Sequence, residues 1–189
     1  MGVLITPRGS EQFGVTAADY GYKAMSCDPA LASVAQTFTA GVQFFVRVNL
    51  PETITVTTLS VGVATLGASF ANTTTLAIYN ESGTKLVETG DLASVLNATG
   101  VKSGTVSSTT LPGGRGRFCV VGYLCGNGTG TAPQLYRLPN AGGAYGTYLN
   151  TGLGSVGKRS GSNGTGQSPP QASTPTISDN SNVFWVGLS

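Results

Sequence analysis

An all-β fold of antiparallel strands, arranged as a sandwich or a barrel, is predicted by three features of this 189-residue chain. Chain breakers are abundant, with 28 Gly and 9 Pro, more than a helical bundle accommodates. Hydrophobic residues still make up 40% of the sequence, which is too apolar for a disordered chain. From Gln36 onward, short runs of β-branched and aromatic residues alternate with turn signals at roughly ten-residue spacing, and none is long enough for a crossover helix. The length suits one domain, which buries about 70% of its unfolded surface and can hold a core without disulfides or metals.

Residues 1–35 differ from the rest of the chain. Phe13, Tyr20, Tyr22 and Met25 are scattered among small and polar residues, with Pro7 and Pro29 as punctuation and no sustained period of two or of 3.6. Two readings stand. One is an extended N-terminal arm, on the order of 100 Å long at 3.3 Å per residue, that lies across a neighbouring subunit and anchors the chain. The other is a first strand and loop packed on the same domain. Either way these side chains require burial.

Residues 36–189 form the strand-rich domain. Thr37–Leu50, rich in aromatic and β-branched residues, reads as a strand that stops at Pro51, which cannot donate to a ladder. In Thr53–Thr65, Ile54 and Val56 share one parity while Leu59, Val61 and Val63 share the other, so a bulge or a bend falls near Thr57–Thr58. Thr74–Tyr79 and Lys85–Glu88 flank the turn residues Asn80-Glu81-Ser82-Gly83 and predict a hairpin. Asp91–Leu96 suits a single helical turn capped by Asp91. Val101–Ser108 reads as a polar strand that leads to a turn at Leu111-Pro112-Gly113-Gly114.

Arg117–Cys125 is apolar on both faces and marks a strand buried inside a sandwich or a trimer. Asn140–Thr174 is dominated by Gly, Ser, Thr, Asn and Pro and reads as one long excursion loop, of a length that is usually functional or mobile. Val183, Phe184, Trp185, Val186 and Leu188 close the chain as a strand apolar on both sides, expected in the middle of a sheet.

The composition removes several function classes. There is no histidine, which excludes imidazole acid–base catalysis, Ser-His-Asp and Cys-His nucleophiles and imidazole metal sites. Among the eight carboxylates, only Glu88 and Asp91 form a close sequence pair, and solvated turn residues explain them better than a glycosidase dyad. No calcium-loop or phosphate-loop pattern occurs.

Cys27, Cys119 and Cys125 match no zinc spacing. Cys119 and Cys125 share a strand face about 20 Å apart, beyond the ~7 Å reach of a disulfide, and read as buried small hydrophobes. No catalytic residue, cofactor or metal is expected. A net charge of +2, with no basic run longer than Lys158-Arg159, gives no footprint for nucleic acid or an anionic membrane. Met1–Arg8 lacks the pattern of a secretory signal, and no run approaches the roughly 18 apolar residues of a membrane span, so the expectation is a soluble protein assembled in the cytoplasm.

One group of residues suits a ligand. Tyr136, Tyr145, Tyr148, Asn150, Arg159 and Gln167 combine rings that stack on the apolar face of a sugar with polar groups that read hydroxyls, as a host surface glycan would require. The simpler reading is that Tyr145 and Tyr148 pin the excursion to its own domain or to a neighbouring subunit.

The succession of Thr-Phe-Thr-Ala-Gly-Val-Gln-Phe-Phe-Val-Arg-Val (37–48), Leu-Ala-Ile-Tyr-Asn-Glu-Ser-Gly-Thr-Lys-Leu-Val (76–87), Ala-Thr-Gly-Val-Lys (98–102), Gly-Arg-Phe-Cys-Val-Val-Gly-Tyr-Leu (116–124) and Val-Phe-Trp-Val-Gly-Leu (183–188) resembles jelly-roll proteins carried by tailed bacteriophages of actinobacteria. The resemblance covers residues 36–189. It implies an antiparallel jelly-roll β-sandwich, display on the virion surface as a non-enzymatic head decoration protein or a minor tail or fibre module, and a homotrimer in contact with the major capsid protein or tail proteins. It implies no catalytic residues. Cys119 and Cys125 depart from it, standing where such strands more often carry Tyr or Ala, and residues 1–35 have no counterpart. A short chain with one arm and no coiled-coil stalk favours head decoration over a fibre.

Overall fold

The computed structural model describes residues 16–66, 73–126, 131–139, 160–163, 178–179 and 183–189. Its strands are β1 Ala24–Met25, β2 Val34–Thr37, β3 Gln43–Asn49, β4 Ile54–Thr65, β5 Thr74–Tyr79, β6 Lys85–Glu88, β7 Gly100–Leu111, β8 Phe118–Cys125, β9 Gln134–Arg137, β10 Ser160–Asn163, β11 Ser178–Asp179 and β12 Val186–Leu188. Every pairing among them is antiparallel. The all-β antiparallel class therefore stands. One sheet runs β1-β12-β4-β9-β2, with β7 on the other edge of β4, and the second runs β11-β10-β3-β8-β5-β6.

The pairings between β3 and β8 are nested: β5 with β6, β4 with β7, and β3 with β8. The innermost turn has a local cause. Asn80 Oδ1 accepts hydrogen bonds from the Ser82 and Thr84 amides at 3.1 and 2.9 Å, and Gly83 takes a φ of 83° that suits glycine. Asp91 caps the following turn, its Oδ1 accepting from the amides of Ala93 and Thr74 at 3.0 and 2.8 Å.

Strand periodicity then sorts the side chains. Phe44, Val46 and Val48 of β3, Leu76 and Ile78 of β5, and Val121 and Tyr123 of β8 join Leu59, Val61 and Val63 of β4 and Val186 and Leu188 of β12 in one hydrophobic cluster, so both sheets contribute to it. Phe38 lies within it, edge-on to Phe44, Tyr123 and Phe184 at centroid distances of 4.7, 5.5 and 5.8 Å. Burying each such side chain contributes about 1.5–3 kcal/mol. The expected irregularity in β4 is present: the register against β7 shifts between Val56 and Thr58, and the Thr57 and Thr58 amides both donate to the Ser189 carbonyl.

The opposite face of the second sheet is also apolar. Phe45, Ala77, Tyr79 and Val120 form a second cluster there, and Gln43 donates to Tyr79 Oη at 2.7 Å. Gly122 leaves the room: a Cβ at that position would stand 2.6 Å from the Gln43 amide nitrogen and 3.0 Å from the Tyr79 ring. The two-faced apolarity of β8 is thus satisfied within one chain, and it needs no trimer to bury it.

Three sequence expectations change. The strand expected over 37–50 is confined to β3 at Gln43–Asn49, and Thr37 ends β2 in the other sheet, because Gly41 turns the chain at a φ of 72° while its amide donates to the Cys125 carbonyl at 2.7 Å. Residues 16–35 follow the second of the two readings, packed on the domain, and not that of an arm. Ala24 and Met25 pair with Leu188 and Gly187, and Val34–Thr37 pair with β9. Phe13 lies outside the described residues. Finally, Ser160–Asn163, expected within an unpatterned excursion, forms β10 on the edge of β3, with Ser160 opposite Val46. Backbone pairing supplied by β3 makes a strand of a polar segment; the rest of 140–174 lies outside the described residues.

Candidate functional site

The face of the first sheet turned away from the main cluster is assembled by parity. Leu135 of β9 points into the core, so Tyr136 points out; Val61 and Val63 of β4 point in, so Gly62 lies on the outer face. Trp185 precedes β12 between the core residues Phe184 and Val186 and shares that face. Val101 of β7 is the cross-strand partner of Gly62 and is 57% exposed.

Two glycines make space for rings here. A Cβ on Gly62 would stand 3.1 Å from the Tyr136 ring and 3.7 Å from Trp185, and one on Gly187 would stand 2.6 Å from the Tyr22 ring. The Tyr22 ring meets the Trp185 indole edge-on, with centroids 5.4 Å apart.

The N-terminal segment completes the wall. Thr16 closes the short 3-10 turn Ala17–Tyr20 by donating from its amide and its hydroxyl to Asp19 Oδ2, each at 2.7 Å, which lowers the Asp19 carboxyl below its ordinary range. Gly21, at a φ of 78°, then reverses the chain between Tyr20 and Tyr22. Tyr20 Oη donates to Asp28 Oδ1 at 3.1 Å, and the same oxygen caps the turn Pro29–Leu31 by accepting from the Ala30 amide at 2.8 Å.

The result is an open groove of about 440 Å³ with Gly62 and Trp185 at its floor and Tyr20, Tyr22, Tyr136 and Val101 around it, and among the described residues no charged side chain lines it. Trp185 is 2% exposed, and its indole N–H has no hydrogen-bond partner among the described residues.

A second cleft, of about 390 Å³, lies against Phe118 and Glu81. Its charges are internally matched. Arg117 pairs with Glu81 at 3.0 Å, Glu81 Oε1 accepts from the Phe118 amide at 3.0 Å, and the Arg47 guanidinium sits 4.0 Å over the Phe118 ring. Arg117 therefore ties its own strand entry to the turn that carries Glu81.

Of the residues singled out from sequence for glycan contact, Tyr136 is in the groove, whereas Tyr145, Tyr148, Asn150, Arg159 and Gln167 lie outside the described residues. Tyr20 and Tyr22, expected in an anchoring arm, belong to the same groove, and Met25 is half-buried in β1. Glu88 pairs with Lys85 at 2.7 Å and Asp91 caps a turn, so each carboxylate holds local structure. Among the described residues no cluster of three His, Cys, Asp or Glu side chains is placed to hold a metal. Cys119 and Cys125 are buried free thiols, and burial pushes them up to about 12 and about 11.

Sequence reasoning places Trp185 in a core strand and passes over Gly62 and Val101. The available signal is glycine inside apolar strands, Val61-Gly62-Val63 and Val186-Gly187-Leu188, which marks close approach by another group. No family model matches the chain, and no curated protein matches it.

Proposed function

We propose that this chain is a non-enzymatic structural protein of a bacteriophage particle, displayed on the virion exterior as a capsid decoration protein whose domain is a jelly-roll β-sandwich. The observation that carries the reading is the nested pairing of β3·β8, β4·β7 and β5·β6. One long hairpin rolled up on itself gives that order, and double-sheet jelly rolls built this way serve in viral capsid and lectin domains. The cluster shared by both sheets supports the sandwich arrangement. The strand motifs that resemble actinobacterial phage proteins support the virion assignment.

Of the anchoring arm expected over residues 1–35, β1 at Ala24–Met25 and β2 from Val34 pair within the domain, so anchoring falls to residues before Ala24. The homotrimer and the contact with the major capsid protein rest on the resemblance. Peptide mass spectrometry of purified particles, with antibody labelling in the electron microscope, tests the proposal: label spread over the head supports it, and absence of the chain from purified particles overturns it.

A minor tail or fibre module that binds host-envelope carbohydrate is the second reading. The observation favouring it is the open aromatic groove, and label confined to the tail would select it.

A further inference from the structure

We infer that the groove over Gly62 and Trp185 is a binding site for a neutral saccharide, whether the head or the tail carries the protein. A volume of about 440 Å³ falls within the roughly 300–1,000 Å³ of small-molecule sites. The lining then narrows the ligand. With no cation or carboxylate among its described lining residues, the groove offers nothing to pair with a phosphate, a uronic acid or an ammonium group. A purely apolar ligand is a poor match as well, because three of the lining side chains, Tyr20, Tyr22 and Tyr136, are phenols, of which Tyr20 already donates to Asp28 Oδ1. A pyranose presents both an apolar face and hydroxyl edges and matches both features.

Three further observations mark the site as built. Tyr20, Val101 and Tyr136, half of the exposed large apolar side chains among the described residues, converge on this one groove. Glycine at 62 and at 187 gives the Tyr136 and Tyr22 rings their places. At the floor, the Trp185 indole is fixed from two sides, lying 3.7 Å from where a Cβ on Gly62 would stand and meeting the Tyr22 ring edge-on.

Trp185 is the only tryptophan in the chain, so its emission reads the groove directly. Full-length protein is titrated with neutral oligosaccharides of β-linked glucose, α-linked glucose, N-acetylglucosamine, mannose and galactose, and with polygalacturonate and a heparin fragment as anionic probes. The expected result is a saturable change in emission with at least one neutral probe and none with the anionic ones. Tyr136→Ala and Val101→Glu, both at exposed positions, each weaken that binding by roughly tenfold with unfolding midpoints retained. The inference is overturned if no neutral probe gives a saturable change, if anionic probes bind equally well, or if both variants bind as the parent does. Concentration-dependent self-association that Tyr136→Ala abolishes would also overturn it, by assigning the groove to a second copy of the chain.

Discussion

Tyr22 and Trp185 stand edge to face, their ring centroids 5.4 Å apart at an interplanar angle of 75°, and the Tyr22 ring occupies the space that a side chain on Gly187 would need. One residue belongs to the first described segment and the other to the last. Their contact ties the two ends of the described chain together on the same face of the sheet that carries the groove.

Gly187→Ala forces that contact apart. The new Cβ would lie 2.6 Å from Tyr22 Cδ1, and the ring or the strand must move. Overpacking of this kind costs about 1–3 kcal/mol. Chemical denaturation followed by Trp185 fluorescence checks it, with both a lower midpoint and a shifted native emission expected.

The N-terminal segment gives a larger effect. Deleting residues 1–35 removes β1 and the first half of β2 and is expected to leave an unfolded or insoluble product. Ser26→Ala isolates one part of this. Ser26 Oγ donates to the Phe184 carbonyl at 2.9 Å and accepts from the Val186 amide at 3.0 Å. Its loss leaves buried backbone groups without these partners, at about 1–3 kcal/mol. A full-length midpoint for the 1–35 deletion would contradict the packing described here.

Phe38 tests the shared cluster. Its ring touches aromatic neighbours contributed by both sheets, Phe44 and Tyr123 from one and Phe184 from the segment leading into β12. Phe38→Ala is expected to cost about 3–5 kcal/mol, measured by urea denaturation.

Stability is expected to fall on the alkaline side. Burial raises Tyr79 from 10.0 to about 12, Cys119 from 9.0 to about 12 and Cys125 from 9.0 to about 11. For each group the unfolded chain ionises first and binds fewer protons than the native state, so the native state loses stability as pH rises. The contribution is intact below pH 9, the ordinary thiol value, and is lost from there to about 12. With no histidine in the chain, no imidazole adds a transition near neutrality. Thermal midpoints across a pH range of about 6–12 check this. Tyr79→Phe is expected to flatten the upper part of the decline.

How much of this is legible in the residues depends on whether its cause is local. The hairpin at Asn80–Gly83 is legible, because an Asx turn and a glycine with positive φ are set within a few residues. So is the irregularity at Thr57–Thr58, because apolar parity switches there. Ser160–Asn163 is not, since its strand depends on the edge of β3, far away in sequence. The turn at Ala40-Gly41 is hidden by the strand formers on either side of it. The groove draws on Tyr20, Gly62, Val101, Tyr136 and Trp185, which lie far apart in the chain and which only strand register brings together. Composition marks Tyr136 as a ligand residue, but its partners stay invisible until β4, β9 and β12 are placed side by side.

Cryo-electron microscopy of purified virions tests where on the particle the chain sits. The expected result is repeated density on the outer surface of the head into which the two-sheet domain fits. A head surface that lacks this density, in particles from which the chain is absent by mass spectrometry, would contradict it.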